Sequence, residues 1–555
     1  MMIFIKFILK TLKKWAKSLR PLDRFVFFAC SFVFALSGLT LLFTIFFLSG
    51  TYAPRIGGSY SEGVIGTPHF INPLLAPLNE VDRELVKLIF PSLLTYTAQG
   101  ELVGSLAKDF KASDNGKVYE FTLREGVFWE DGKPLTAEDV AFTVKAIQDE
   151  KTSSPLNRIW SGVKVEVVNP LKIRFSLAHP YAFFLQNATL GILPSHIWAS
   201  ISPSDFTKSE YNLKPVGAGP YHLERISQLN GTMVSAIFTP NPTFFGQKPY
   251  IDQITFEFYP DSKQLTDAYE RGQVQSIPIT TFSLYNELKS QSHSNVYTFL
   301  MPRYFALFLN EKANPALANK DVREALTRAI QKQKIIADVL KGQAQEATSP
   351  ITPALKKYYT KEPPLYTYDS VKSQELLKKA GFPAGKPFNL ELTIIDNDSL
   401  TEVANQVIND WQAVGIVTSI KHLGLENLRD EILQKRNYQV FLFGQSLALE
   451  PDPFSLWHSS QQQYPGVNLS SYKNPKLDSL LEELRQTIDS TKQQELFSQF
   501  ETIMTQELPA IFLYSPYQLF AMRDDLHGVT QGVLSLPEDR FNQISDWYIN
   551  ERRVK

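Results

Sequence analysis

Between Phe25 and Leu48 the chain runs for 24 residues without a charged side chain, FVFFACSFVFALSGLTLLFTIFFL. At about 1.5 Å of rise per residue, such a run crosses a hydrocarbon layer of about 30 Å as a helix. A buried core helix is the weaker reading, because such helices seldom run this long without a charged residue. Ahead of it stand Lys6, Lys10, Lys13, Lys14, Lys17, Arg20 and Arg24 against one acidic residue, Asp23. That bias keeps the N-terminus cytoplasmic and sends the roughly 500 following residues outside. A cleaved signal peptide competes with this reading, because Thr51-Tyr52-Ala53 has the look of a processing site. The span is longer than a usual signal core of about 7–15 residues, and Pro54 would follow the cut, so an uncleaved anchor is expected. Within residues 2 to 20, Ile3, Phe7, Ile8, Leu12 and Trp15 recur among lysines at helical spacing, which suits the surface of an anionic leaflet or simply the flank of the anchor.

Cys30, the only cysteine, lies inside the apolar run and is followed by more apolar sequence, unlike a lipoprotein cysteine. One sulfur builds neither an intramolecular disulfide nor a thiolate metal site. The chain of 555 residues, 43% hydrophobic and 20% charged, has length for two or three domains. Its formal net charge of -1 supplies no field that would hold nucleic acid. The 39 Phe and 23 Tyr suit an aromatic core, or a large cleft that grips varied ligands. The histidines show neither i, i+4 pairing nor acidic clustering, and no GxSxG, HExxH or phosphate-loop pattern occurs. No metal, cofactor or catalytic residue is therefore expected.

The exported part is organised around VYEFTLREGVFWEDGKPLTAEDVAFTVKAIQDE, Val118 to Glu150. Tyr119, Phe121 and Leu123 alternate with polar residues as in a half-buried strand. Asp131-Gly132 supplies a tight turn, Thr136 and Asp139 cap a helix, and Val140, Val144 and Ile147 form its apolar stripe. This wording closely resembles a segment of the family 5 extracellular solute-binding proteins, which deliver oligopeptides, dipeptides or nickel complexes to ABC importers. PVGAGPY at Pro215 to Tyr221, DVREALTRAIQKQKI from Asp321 and LPAIFLY from Leu508 resemble further family signatures in the right order. Ala218 stands where the family usually has Thr, and Gln331 where Asp is common.

In the last part the periodicity predicts one helix through Val322, Leu326, Ile330 and Val339-Leu340, stopped by Gly342, with Arg323 and Glu324 facing out. Asp369 is read as an N-cap, and Ser399 with Glu402 as a capping box, each before a helix that leads into a strand, FNLELTII or VTSIKHL. Such alternation is that of an open α/β sheet.

The resemblance implies an α/β, two-lobed fold of the periplasmic-binding-protein kind, class II, with an extra subdomain in the N-terminal lobe and one transmembrane helix ahead. The expected divisions are a basic cytoplasmic segment 1–24, an anchor 25–50, a first lobe 54–300 plus 515–555 with an inserted subdomain about 98–212, and a second lobe 301–514. It implies a monomer outside the membrane that captures an oligopeptide or other small solute by hinge closure and hands it to ABC permease and ATPase subunits. Phe70, Asn72, Tyr304, Gln445, Trp457, Tyr514 and Tyr517 become candidate ligand contacts. The Asp that pairs with a ligand's amino group in dipeptide-binding relatives falls here at Ala448 or Leu449, so Glu450 and Asp452 become candidate substitutes. A membrane-anchored sensor or chaperone on the same fold, or a hydrolase, are the alternatives.

Overall fold

The computed structural model describes residues 20–43, 51–290, 293–358 and 366–554. An apolar helix runs Pro21–Phe43, and its membrane-length part, Pro21–Leu41, buries none of its most apolar window against the rest of the chain. It starts a turn before the expected Phe25. The expected end at Leu48 and the basic residues before Arg20 lie outside the described residues.

Two mixed sheets carry the rest. The first has seven strands in the order Ser294–Phe299, Gln518–Arg523, Ser276–Pro278, Ser59–Ile65, Gln253–Tyr259, Thr232–Pro240 and Tyr221–Leu229. The second has six, in the order Ala344–Glu346, Ala510–Pro516, Arg303–Leu309, Val440–Ser446, Phe388–Ile395 and Ile416–Leu423. The chain crosses from the first sheet to the second between Phe299 and Arg303 and returns between Pro516 and Gln518. A smaller antiparallel sheet of four strands, Ala107–Ser113, Val118–Leu123, Lys172–Ser176 and Lys164–Asn169, is inserted in the first half. Thr51–Arg55, directly after the apolar helix, pairs antiparallel with Asn550–Val554.

Local signals set most elements. Tyr119, Phe121 and Leu123 bury their rings and methyls in the first-lobe core, while Glu120 on the other face collects Arg174, Lys111 and Lys172. Trp129 donates its backbone N–H to Lys133 around Gly132, which takes a positive φ of 84°. The helix Ala137–Gln148 then starts from the reciprocal cap of Thr136 and Asp139. In the second sheet, Tyr304, Ala306 and Phe308 enter one core with Trp457 and Phe497, and Leu307 and Leu309 enter the opposite core with Val407 and Trp411. That alternation lets one strand serve both faces of the sheet. Phe388–Ile395 and Ile416–Leu423 pair in parallel around the helix Asp398–Gln412, a βαβ unit.

Three expectations are corrected. The helix predicted from Val322 to Leu340 ends at Arg328, because Asp410 Oδ2 accepts the backbone N–H of Gln331 at 2.9 Å and turns the chain before a short helix and a π-turn. Arg323 is not outward: it is 4% exposed, and donates to the carbonyls of Leu317, Ala318 and Glu507. The cap of the Asp398 helix is Asn397, whose side chain accepts from Leu400 N, so that Ser399 is already inside the helix.

The PVGAGPY turn lies against the end of the helix Glu80–Ile89, where Ala218 and Gly219 donate to Ile89 O at 3.1 and 2.8 Å. A Cβ on Gly219 would lie 2.3 Å from Leu88 O, so the backbone itself would have to move. Gly219→Ala is expected to destabilise by roughly 2–3 kcal/mol, read from denaturant midpoints.

Candidate functional site

The first lobe carries a half-open cavity of about 360 Å³, within the range of small-ligand sites. One wall is the Pro73–Pro77 loop with Arg83, Val86 and Lys87 of the following helix. Leu156, Ile159 and Trp160, then Gln186 to Gly191, form the second, and the C-terminal segment from Ser535 to Ser545 forms the third. Asn79 caps the wall helix through Val81 N and Asp82 N, and Asp82 in turn accepts from the backbone of His69 and Phe70. These bonds fix the loop that borders the cavity.

Charges on the walls are paired: Arg83 with Glu538 at 3.0 Å and Lys87 with Asp539 at 2.7 Å. Tyr96 Oη, Asn542 Oδ1 and Glu538 Oε2, three buried polar atoms of the lining, have no hydrogen-bond partner among the described residues. Burial pushes the Tyr96 phenol up, with Glu450 and Asp539 adding to it, so Tyr96 remains a neutral donor. Tyr96 also packs with Leu447, Leu449 and Trp457 of the second lobe, so the cavity borders the inter-lobe junction. A chamber of mixed polar and apolar lining, with a few unpaired polar atoms, suits a guest that brings its own hydrogen-bonding groups.

None of the nine residues singled out from the sequence lines this cavity. Asn72 is fully buried; it accepts from Leu74 N and donates to Asn212 Oδ1 at 3.2 Å, which shapes the loop next to the cavity. Phe70 is half-buried against the first-lobe core, and Tyr517 packs with a separate cluster around Ile277 and Leu519. Tyr304 Oη donates to Gln445 at 2.7 Å across paired strands, and Trp457 is sealed between Phe308 and Phe512. Tyr514 stacks on Phe305 with centroids 5.0 Å apart. Glu450 is held by Lys357 at 2.6 Å and by Tyr358 Oη at 2.7 Å. Asp452 is held by Arg485 at 2.8 Å and by Tyr181 Oη at 3.2 Å, the latter bond joining the two lobes. Sequence reasoning missed Trp160, Gln186, Asn187 and Asn542. The one local signal was the polar pair Gln186-Asn187 inside the apolar run YAFFLQNATLGIL, which marks two of the four.

Burial pushes Glu538 up to about 7, against the lowering by Arg83, and pushes Glu130 and Glu501 up to about 7 as well. A carboxyl raised when folded stabilises below its unfolded value and loses that contribution as pH rises through its folded value. The melting temperature is therefore expected to fall between pH 5 and pH 8. Glu501→Gln should flatten that slope, since its raised value alone is worth up to roughly 3 kcal/mol. A melting temperature that climbs over this interval would contradict the assignment.

Comparison with known proteins fits this architecture. The chain is 27% identical over 515 residues to the oligopeptide-binding protein AppA of Bacillus subtilis, covering 86% of this chain and 89% of that one. The crystal structure of AppA with a nonapeptide superposes with a TM-score of 0.70 at 25% identity, over 90% of this chain and 100% of that one. The ABC transporter substrate-binding protein CtaP of Listeria monocytogenes superposes with a TM-score of 0.79 at 27% identity, over 89% and 100%. Residues 101–465 match the sequence profile of the bacterial extracellular solute-binding proteins, family 5, and the chain belongs to that family.

Proposed function

We propose that this protein is the substrate-binding component of an ABC importer, which captures peptides or peptide-like solutes outside the membrane and passes them unaltered to a permease. The observation that carries the reading is the cavity of about 360 Å³ with Tyr96, Asn542 and Glu538 presenting unpaired polar atoms. Family membership and the nonapeptide held by AppA support it. In this reading the lobes, 54–300 with 515–555 and 301–514, close over the guest by bending at the crossings near Leu300 and Pro516, and the subdomain of about 98–212 meets the second lobe through Tyr181. The apolar helix Pro21–Phe43 holds the protein to the membrane, N-terminus inside.

Calorimetric titration of the detergent-solubilised full-length protein with peptides from dipeptide to nonapeptide tests this, with mass spectrometry of the peptide afterwards. Saturable binding of intact peptide is expected. Cleaved peptide would make the protein a hydrolase, and failure of every peptide would sink the peptide reading.

A further inference from the structure

Four consecutive residues that follow the small antiparallel sheet divide their contacts between the two lobes. Tyr181 donates its hydroxyl to Asp452 Oδ2 at 3.2 Å, and the Arg485 guanidinium that holds the same carboxylate at 2.8 Å lies over the Tyr181 ring. Ala182 donates its backbone N–H to Arg485 O at 2.7 Å. The Phe183 ring is fully buried in the second-lobe core, edge-on to Phe497 with centroids 6.4 Å apart. Phe184, the next residue, turns back into the first-lobe core, where the rings of Tyr119 and Trp160 stand 4.8 and 5.7 Å away.

The first-lobe side of this segment is fixed. Tyr181 N donates to Gly116 O at 3.2 Å, and the Tyr119 hydroxyl donates to Tyr181 O at 2.8 Å. Gly116 itself lies against the second lobe, where an added Cβ would come within 2.7 Å of Ile488 Cγ2. Two residues past Phe184, Gln186 to Gly191 form a wall of the chamber, and Trp160, which packs on Phe184, belongs to the same wall. With one ring in each core, the segment cannot follow both lobes when they separate, because packed interiors switch between arrangements and do not stretch. Parting the lobes takes Phe183 out of its socket into water and loads the chamber wall.

We propose that Tyr181 to Phe184 form a latch, with Phe183 as its bolt, that keeps the lobes shut without help from a guest, and that release of the latch and movement of the chamber wall are one event. Every group in the latch belongs to the chain itself, so its hold is the same before and after capture. It therefore leaves the affinity nearly unchanged and sets the rates, because a guest enters and leaves only during the fraction of time that Phe183 is out of its socket.

The effect on rates rests on the peptide reading, the latch itself does not, and the test separates the two. Full-length Cys30→Ser protein in detergent carries spin labels at Leu229→Cys and Val417→Cys, exposed positions on the outer strands of the first and second sheets. Pulsed electron resonance reads the distance between them without and with pentaalanine. The intact latch is expected to give one distance in both conditions. Phe183→Ala should add a longer distance without peptide and lose it with peptide, and stopped-flow binding should speed up about tenfold in both directions while Kd changes less than about threefold. Tyr181→Phe removes one inter-lobe hydrogen bond and keeps the rings, so it should show a smaller fraction of the longer distance, and it decides the matter if Phe183→Ala does not fold. An intact latch that shows the longer distance without peptide, or variants that keep the single distance, overturns the proposal and leaves the peptide reading standing. Rates that stay unchanged in a variant that opens overturn the control of entry. If no peptide binds, the peptide reading fails, and the distances in the peptide-free protein still decide the latch.

Discussion

Replacing Arg540 with methionine is expected to lower stability by about 3–5 kcal/mol, the usual cost of stranding buried charges. The side chains of Arg540 and Glu62 are fully excluded from solvent, and Glu84 is nearly so. The guanidinium reaches Glu62 at 3.1 Å and Glu84 at 2.8 Å, lies between the rings of Phe520 and Phe541, and the Tyr60 hydroxyl donates to the same Glu62. Burial pushes Glu62 up, and Arg540 is what holds it down. Without the cation, two carboxylates would face each other in the core of the first lobe, and one would take a proton. A drop of about 10 °C in melting temperature follows at the usual conversion for domains of this size. Adding Glu62→Gln and Glu84→Gln should recover much of the loss, since neutral groups no longer need the cation. A single variant melting within about 2 °C of wild type would show that the network adds little.

A bulky ring in the chamber should remove binding while sparing the fold. Asn187 is half-buried on the wall formed by the segment after Phe184, and Leu536, 47% exposed, stands on the C-terminal wall. Asn187→Trp and Leu536→Trp each place an indole in a space of about 360 Å³ from a different side. Each is expected to weaken a peptide that binds the wild type by on the order of 100-fold, about 2.7 kcal/mol, in calorimetric titration. Their melting temperatures should stay close to wild type, because neither side chain belongs to a core cluster. Unchanged affinity in both would move the site elsewhere in the junction.

The two predictions differ in how far the sequence could have led to them. The strand, hairpin and helix from Val118 to Gln148 were legible because alternation, an Asp-Gly turn and a Thr-Asp cap act over a few residues. The two sheets follow from such elements together with the family resemblance. The cavity was not legible: its walls come from the segments near residues 75, 190 and 540, and nothing local in any of them announces the other two. Buried charges were equally hidden. Arg323 occupies a polar position in a periodic pattern, and only its carbonyl partners, supplied by Leu317, Ala318 and Glu507, show that it faces inward. At the Asp398 helix, Asn397 and Ser399 are both good caps, and the choice between them depended on where the preceding strand ends.

The pairing of Thr51–Arg55 with Asn550–Val554 bears on how the molecule would work at a bilayer. Both strands flank the first lobe, whereas the second lobe is a loop of chain that leaves near Leu300 and comes back near Pro516. A lipid-embedded helix would therefore hold the stationary jaw by a stapled pair of ends, and all the swing would fall to the jaw that has no end of its own.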